Sequence, residues 1–345
     1  MHDFFPRHVL PGKLYEITAR TQDGRHWFSA ELRDCLSFSI ARAQKTCNIK
    51  IFAYAVLSNH YHMLVSAEGP QDMARFLQIA HASMARAVNR HWKRKGRVWA
   101  RRASIVRVSD EPAAQLARLR YILANGSKEG LVRHPAQWGG PHVAHYFETG
   151  VAEGGPAERK KVNKSNQLRV CHTKVQRSHT ICVSRLPHLS GLPIKQYLSD
   201  MRHLMDCVAE RPLDRDHGIE QHLTDPRLPR TFAPVEARAP RVMLWKRDRG
   251  LKVKAIPSAQ RPPVTSDGWG PFTALAHDAG VRDELIEQRK AFVYEYQDAS
   301  ARFRAGVRRR PMFPARCILP PSAWIRPDRR RTGLFVADTS SGCLG

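Results

Sequence analysis

Over residues 13–125 the apolar pattern alternates between strand-like and helix-like periods in one fixed order, and that order restricts the folds open to the chain. Residues 13–20 (Lys-Leu-Tyr-Glu-Ile-Thr-Ala-Arg) alternate and carry β-branched and aromatic types, which predicts a strand. Ser29 is a candidate N-cap for a helix to about Cys47, with Leu32, Leu36, Ile40 and Ala43 at helical spacing. Residues 50–57 are apolar on both faces, as a central strand requires. Ser58-Asn59 then turns the chain, and residues 60–66 return as the hairpin partner. A helix over about 71–94 buries Met73, Phe76, Leu77, Ala80, Met84 and Val88, and residues 104–108 make a further strand. Pro112 is a good first-turn residue for a helix to about Asn125. Strand, helix, hairpin, helix, strand, helix is the split βαβ or ferredoxin-like pattern plus one helix. The expectation is an α+β domain with an antiparallel sheet over residues 1–150.

Past that point the composition changes. Residues 153–180 are polar and basic (Lys160-Lys161, Lys164, Lys174, Arg177) and read as a linker or basic arm. Helices are expected over 194–209, with Tyr197, Met201, Leu204 and Val208 on one side, and over 282–304, with Leu285, Ile286, Phe292, Val293, Tyr296 and Phe303. The proline-rich 226–272 looks irregular, and arginine triplets stand at 308–310 and 329–331. Residues 151–345 are therefore expected to be a basic, partly helical extension with accessory DNA binding.

A formal net charge of +26 and a pI near 10.5 repel a compact fold unless a polyanion is the usual partner. Nucleic acid meets that need through counterion release, although a membrane surface or ribosome carries the same charge. No run of apolar residues is long enough to span a bilayer, and Met1 to His8 lack a signal-peptide core. Seven cysteines at irregular spacing do not form a disulfide framework. Cys171, His172, His179, Cys182 and His188 fit no zinc ribbon or finger spacing. The expected compartment is the cytoplasm, at the nucleoid.

His60-Tyr61-His62 carries the most chemical information. Residues two apart on a strand share a face, so the two imidazoles project together while Tyr61 and Met63 point away. Such a pair can hold one divalent ion, each ring steadied through its other nitrogen. The alternative is two histidines on a half-exposed strand.

The stretch Ala53-Tyr54-Ala55-Val56-Leu57-Ser58-Asn59-His60-Tyr61-His62-Met63-Leu64-Val65 closely resembles the histidine–hydrophobic–histidine (HUH) segment of the single-tyrosine transposases. Among these it looks most like the REP-associated tyrosine transposases. Their second motif, a helical tyrosine with an asparagine four residues on and a Gly-Leu-Val-like exit, is matched by Tyr121, Asn125 and Gly130-Leu131-Val132. In the family the asparagine is usually followed by Pro-Val; here it is followed by Gly126-Ser127-Lys128, and Gly126 suits a helix C′ position. The match covers roughly residues 7–148, including Arg7-His8-Val9-Leu10-Pro11-Gly12.

The resemblance implies a nuclease and strand transferase with Tyr121 as the nucleophile, where a tyrosine packed on a backbone carbonyl is the bland alternative. It implies His60, His62 and the amide oxygen of Asn125 as ligands of Mg²⁺ or Mn²⁺, which suit mixed nitrogen and oxygen donors. It also implies a 5′-phosphotyrosine intermediate on folded single-stranded DNA hairpins at palindromic ends, in a monomer or homodimer. Trp92, Lys93, Arg94, Lys95, Arg97, Trp99, Arg101 and Arg102, with Arg120, interleave cations and indoles as a patch for phosphates and unpaired bases. The same residues also suit a solvated helix end with its tryptophans in the core. Three other readings share the charge: a domesticated, non-catalytic DNA- or RNA-binding protein on the same fold, a rolling-circle initiator, and a ribosome-associated protein. The initiator fits less well, since the helix over 112–125 has one tyrosine and the chain has no Gly-rich phosphate loop.

Overall fold

A computed structural model describes residues 7–128, 131–159, 175–210, 274–305 and 313–314. Strands β1 (Leu14–Arg20), β2 (Ile49–Val56), β3 (His60–Ala67) and β4 (Ser104–Val108) lie in the order β2-β3-β1-β4, every neighbour antiparallel. Helix α1 (Arg33–Thr46) joins β1 to β2, and α2 (Pro70–His91) joins β3 to β4. Two β-α-β units thus interleave, each accepting the first strand of the other into its gap. This is the mixed α+β, mostly antiparallel arrangement expected from the order of periods.

Local chemistry sets most element ends. Pro70 opens α2, whose stripe from Met73 to Val88 is buried as the spacing predicts. Each large apolar side chain so covered contributes about 1.5–3 kcal/mol. α2 stops three residues short of the expected end, because Lys93 takes a left-handed φ of 47°. The first helix begins as a 3-10 turn, Ala30–Leu32, before α1, and the Ser29 side chain caps nothing.

The two faces of the sheet are unlike. Tyr61 points to the α1/α2 side, where its hydroxyl meets His81 Nε2 of α2 at 2.6 Å. The other face carries α3 (Pro112–Leu123), which packs over β2, β3 and β4. Helices α4 (Val143–Thr149) and α5 (Ile194–Ala209) pack beside it. The ends of the stretch expected to be a linker pair as an antiparallel hairpin, β5 (Gly154–Arg159) with β6 (Val175–Thr180), beside α1. Ile181, Leu186, Tyr197, Met201 and Met205 belong to the same buried apolar cluster as the sheet, so the packed unit runs beyond residue 150.

Farther along, β7 (Ala274–Leu275) joins the edge of β4 in parallel, and α6 (Ala279–Arg304) follows it. Glu111, at the N-cap of α3, accepts backbone hydrogen bonds from His277 at 3.1 Å and Asp278 at 3.0 Å. The carboxy-terminal segment therefore docks where α3 begins. Leu285, Phe292, Val293 and Tyr296 are buried, as the expected helix requires. Residues 226–272 and both arginine triplets lie outside the described residues. Cys35, Cys47, Cys182 and Cys207 are free, and among the described residues no helix is long and apolar enough to cross a membrane.

Behind α4, buried Glu153 receives Arg33 Nη2 at 2.7 Å, the Tyr54 hydroxyl at 3.0 Å and the His142 backbone N–H at 3.2 Å. His142, fully buried, caps α4 by accepting the Ala144 N–H at its Nδ1. Burial, with His145 nearby, lowers the His142 pKa from 6.5 to about 3. An unfolded chain takes up that proton below about pH 6.5 while the folded chain does not, so stability is lost as pH falls through that window. At one pKa unit per 1.36 kcal/mol, this residue costs up to ~2 kcal/mol between pH 6.5 and 5. Burial raises the Glu153 carboxyl and acts in the opposite direction. Denaturant unfolding at the two pH values should register the loss. His142→Asn keeps a capping acceptor but cannot titrate, so it should flatten the profile; identical profiles in the two proteins would count against the assignment.

Candidate active site

The site forms where β3 meets α3. On β3 the His60 and His62 rings share a face, with centroids 5.2 Å apart. Their orientations come from neighbouring elements. His60 Nδ1 lies 2.6 Å from Asn59 Oδ1, across the turn that leads into the strand. His62 Nδ1 lies 2.8 Å from Glu16 Oε1 and 3.1 Å from Thr18 Oγ1, both on β1, where Thr18 pairs with His62 in register. In both rings Nδ1 is engaged and Nε2 is left without a hydrogen bond among the described residues. Burial, next to His62, Arg20, Lys128 and His26, lowers the His60 pKa to about 3, so its ring is neutral at physiological pH and can act as a ligand.

α3 brings Tyr121 to this face, its ring 5.5 Å from that of His62 and edge-on to it. Tyr121 is 38% exposed and its hydroxyl makes no hydrogen bond among the described residues, unlike a packed core tyrosine. Two cations flank the ring, Lys128 Nζ at 3.6 Å and Arg118 Cζ at 4.6 Å from its centroid. Arg118 in turn reaches Glu16 Oε2 at 3.1 Å. Arg120 lies on the same helix but outside this cluster, with its Nε buried and unbonded.

Asn125 follows the end of α3 and is almost fully buried. Its Nδ2 donates to the carbonyls of Tyr121 at 3.0 Å and Ile122 at 3.2 Å, while Oδ1 is buried without a partner. A buried amide oxygen left unpaired costs about 1–3 kcal/mol unless something electropositive meets it. Two imidazoles with free Nε2 lone pairs and one unpaired buried amide oxygen form a donor set that suits Mg²⁺ or Mn²⁺. Among the described residues no group of three or more His, Cys, Asp or Glu side chains is clustered for a metal, so any such site depends on the asparagine.

The helix exit departs from the family pattern in a defined way. α3 ends at Leu123, two residues before the expected end, and Gly126 turns the chain at φ +95°. A Cβ on Gly126 would lie 2.9 Å from Cε3 of Trp138, which is buried with its indole N–H on the Val56 carbonyl at 2.9 Å.

The basic turn after α2 lies at the His60 end of the sheet. The Ala100 N–H bonds the Arg20 carbonyl at 3.0 Å, and Arg20 pairs in register with His60. Lys93, Lys95, Arg97, Arg101 and Arg102 are exposed. The indoles are committed elsewhere: Trp92 Nε1 donates to the Trp27 carbonyl at 2.8 Å and Trp99 Nε1 to the His81 carbonyl at 3.1 Å. Trp99 also stacks on His81, with centroids 4.2 Å apart, and Arg94 covers Trp27 at 4.0 Å. The structure thus leaves cations, rather than indoles, on the surface of this patch. Sequence reasoning missed Glu16 and the Tyr121 contact of Lys128. A carboxylate facing inward on a central strand is the signal that marked Glu16.

Residues 12–124 match the model of the family described as transposase, IS200 like. Over these residues the chain is similar to the IS200-like transposases. No curated protein matches the chain. Of the solved structures, one described as a REP-associated tyrosine transposase bound to a REP hairpin is 18% identical, with a TM-score of 0.35, over 43% of this chain and 86% of that one. A second, a putative transposase from Deinococcus radiodurans R1, is 17% identical, with a TM-score of 0.26, over 34% of this chain and 91% of that one. The matched segment holds His60, His62, Tyr121 and Glu16; it ends one residue before Asn125.

Proposed function

We propose that this protein is a transposase that cleaves and rejoins single-stranded DNA at hairpin ends, with Tyr121 as nucleophile and His60, His62 and Asn125 as ligands of Mg²⁺ or Mn²⁺. The observation that carries the reading is the placement of an exposed, unbonded tyrosine against the face of β3 that bears both histidines. When bound, the ion supplies charge neutralisation at the scissile phosphate. The protein's own groups do the rest. The Tyr121 oxygen forms a bond to phosphorus as the bond from phosphorus to the 3′-oxygen breaks. The phenolic proton passes to solvent and the 3′-oxygen leaves as a hydroxyl after taking up a proton. The product is a 5′-phosphotyrosine, and attack by another 3′-hydroxyl reverses the step without ATP. Arg118 and Lys128, both against the ring, hold it and offer positive charge to the incoming phosphate. Lys93, Lys95, Arg97, Arg101 and Arg102 supply phosphate contacts along the approach.

The test is covalent trapping. The protein is incubated with labelled single-stranded hairpins from the DNA flanking its own gene, with Mg²⁺ or Mn²⁺, and resolved on denaturing gels. A labelled adduct that chelator abolishes is the expected result. Tight, salt-sensitive binding with no adduct would replace this reading with a non-catalytic nucleic-acid binder on the same fold.

A further inference from the structure

Glu16 is a charged side chain on a central strand that is otherwise almost entirely buried, and it is itself only 6% exposed. Burying a carboxylate costs several kcal/mol unless both oxygens are paired. Here both are, and the two partners belong to different motifs. Oε1 faces His62 Nδ1 at 2.8 Å, and Oε2 faces Arg118 Nη1 at 3.1 Å. Arg118 then lies over the Tyr121 ring at 4.6 Å.

From this geometry we propose that Glu16 is a positioning residue that aligns the metal-binding histidine and the tyrosine helix with each other. The inference rests on the metal-dependent reading above. With a carboxylate at Nδ1, the His62 ring carries its proton there and presents the Nε2 lone pair to an ion, and the ring cannot rotate away. The second oxygen fixes Arg118, a long side chain that otherwise samples many rotamers, against Tyr121. A single carboxylate on β1 thus sets the distance between β3 and α3 at the place where the chemistry occurs. Thr18, 3.1 Å from the same Nδ1, supports the ring from the side but makes no link to α3.

The experiment measures Mn²⁺ affinity of the full-length, DNA-free protein by electron paramagnetic resonance, for wild type, Glu16→Gln, Glu16→Ala and His62→Ala. Loss of a carboxylate behind a metal-binding histidine typically weakens binding about 10–100-fold. That loss is expected for Glu16→Ala. A smaller but measurable loss is expected for Glu16→Gln, which keeps the shape and a neutral acceptor. The Gln variant decides the matter if the Ala variant does not fold, and its melting temperature should stay near that of the wild type. Adduct formation at saturating Mn²⁺ reads the Arg118 contact separately, and it should remain slow in both Glu16 variants. Wild-type affinity in the Glu16 variants, with His62→Ala defective, overturns the proposal. A normal adduct rate at saturation overturns its Arg118 half. Wild-type affinity in His62→Ala would instead overturn the metal site on which the proposal depends.

Discussion

Tyr121→Phe should eliminate the labelled adduct while leaving the fold and DNA binding unchanged. The loss should be about 10³-fold or more, since the variant keeps every contact of the ring and lacks only the oxygen that attacks phosphorus. The wild-type hydroxyl bonds to no protein group among the described residues, and the side chain is 38% exposed, so its removal leaves nothing unsatisfied. The edge-on contact with His62 and the cations at 3.6 and 4.6 Å are contacts of the ring, which phenylalanine retains. Melting temperature and hairpin affinity should therefore match wild type within error. An adduct that persists in this variant would move the nucleophile to another residue. A variant that loses adduct and affinity together would make Tyr121 a binding group.

The second large effect is expected at the helix exit, from a substitution toward the family's own pattern. Gly126→Pro installs the residue that usually follows the asparagine, yet it should destabilise this chain by about 3 kcal/mol or more. Proline fixes φ near −65°, whereas Gly126 stands at +95°. Any Cβ there meets Trp138 at 2.9 Å, and Trp138 is held by its bond to the Val56 carbonyl. Proline also disfavours the α region for the residue before it, which is Asn125. The asparagine would be drawn from its bonds to the Tyr121 and Ile122 carbonyls. Denaturant unfolding measures the loss. Gly126→Ala, which shares the strained φ and the contact but not the proline ring, should lie between the two. Wild-type stability in the proline variant would mean that the exit can adopt the family's geometry at no cost.

Much of this protein is legible in its sequence. The period changes across residues 13–125 determined the element order. The apolar stripe of α2 and the double-sided β2 determined what is buried, because period alone decides which side chains share a face. The spacing of His60 and His62 put both rings on one face for the same reason. Element ends were less legible: α2 stops at a left-handed Lys93 and α3 stops before Asn125, which are local backbone choices that several sequences permit. The fate of Trp92 and Trp99 could not be read either. An indole beside arginines serves a core and a base-stacking surface equally well, until the fold sets the carbonyls of Trp27 and His81 within reach. Glu16 is the clearest case of what tertiary structure alone decided. It lies far from both β3 and α3 in the chain, and only the insertion of β1 between β3 and β4, with α3 across that face, brings it to His62 and to Arg118 beside Tyr121. Sequence periodicity fixes which residues face one way within an element; which elements then face one another is fixed by packing, through contacts that no local pattern records.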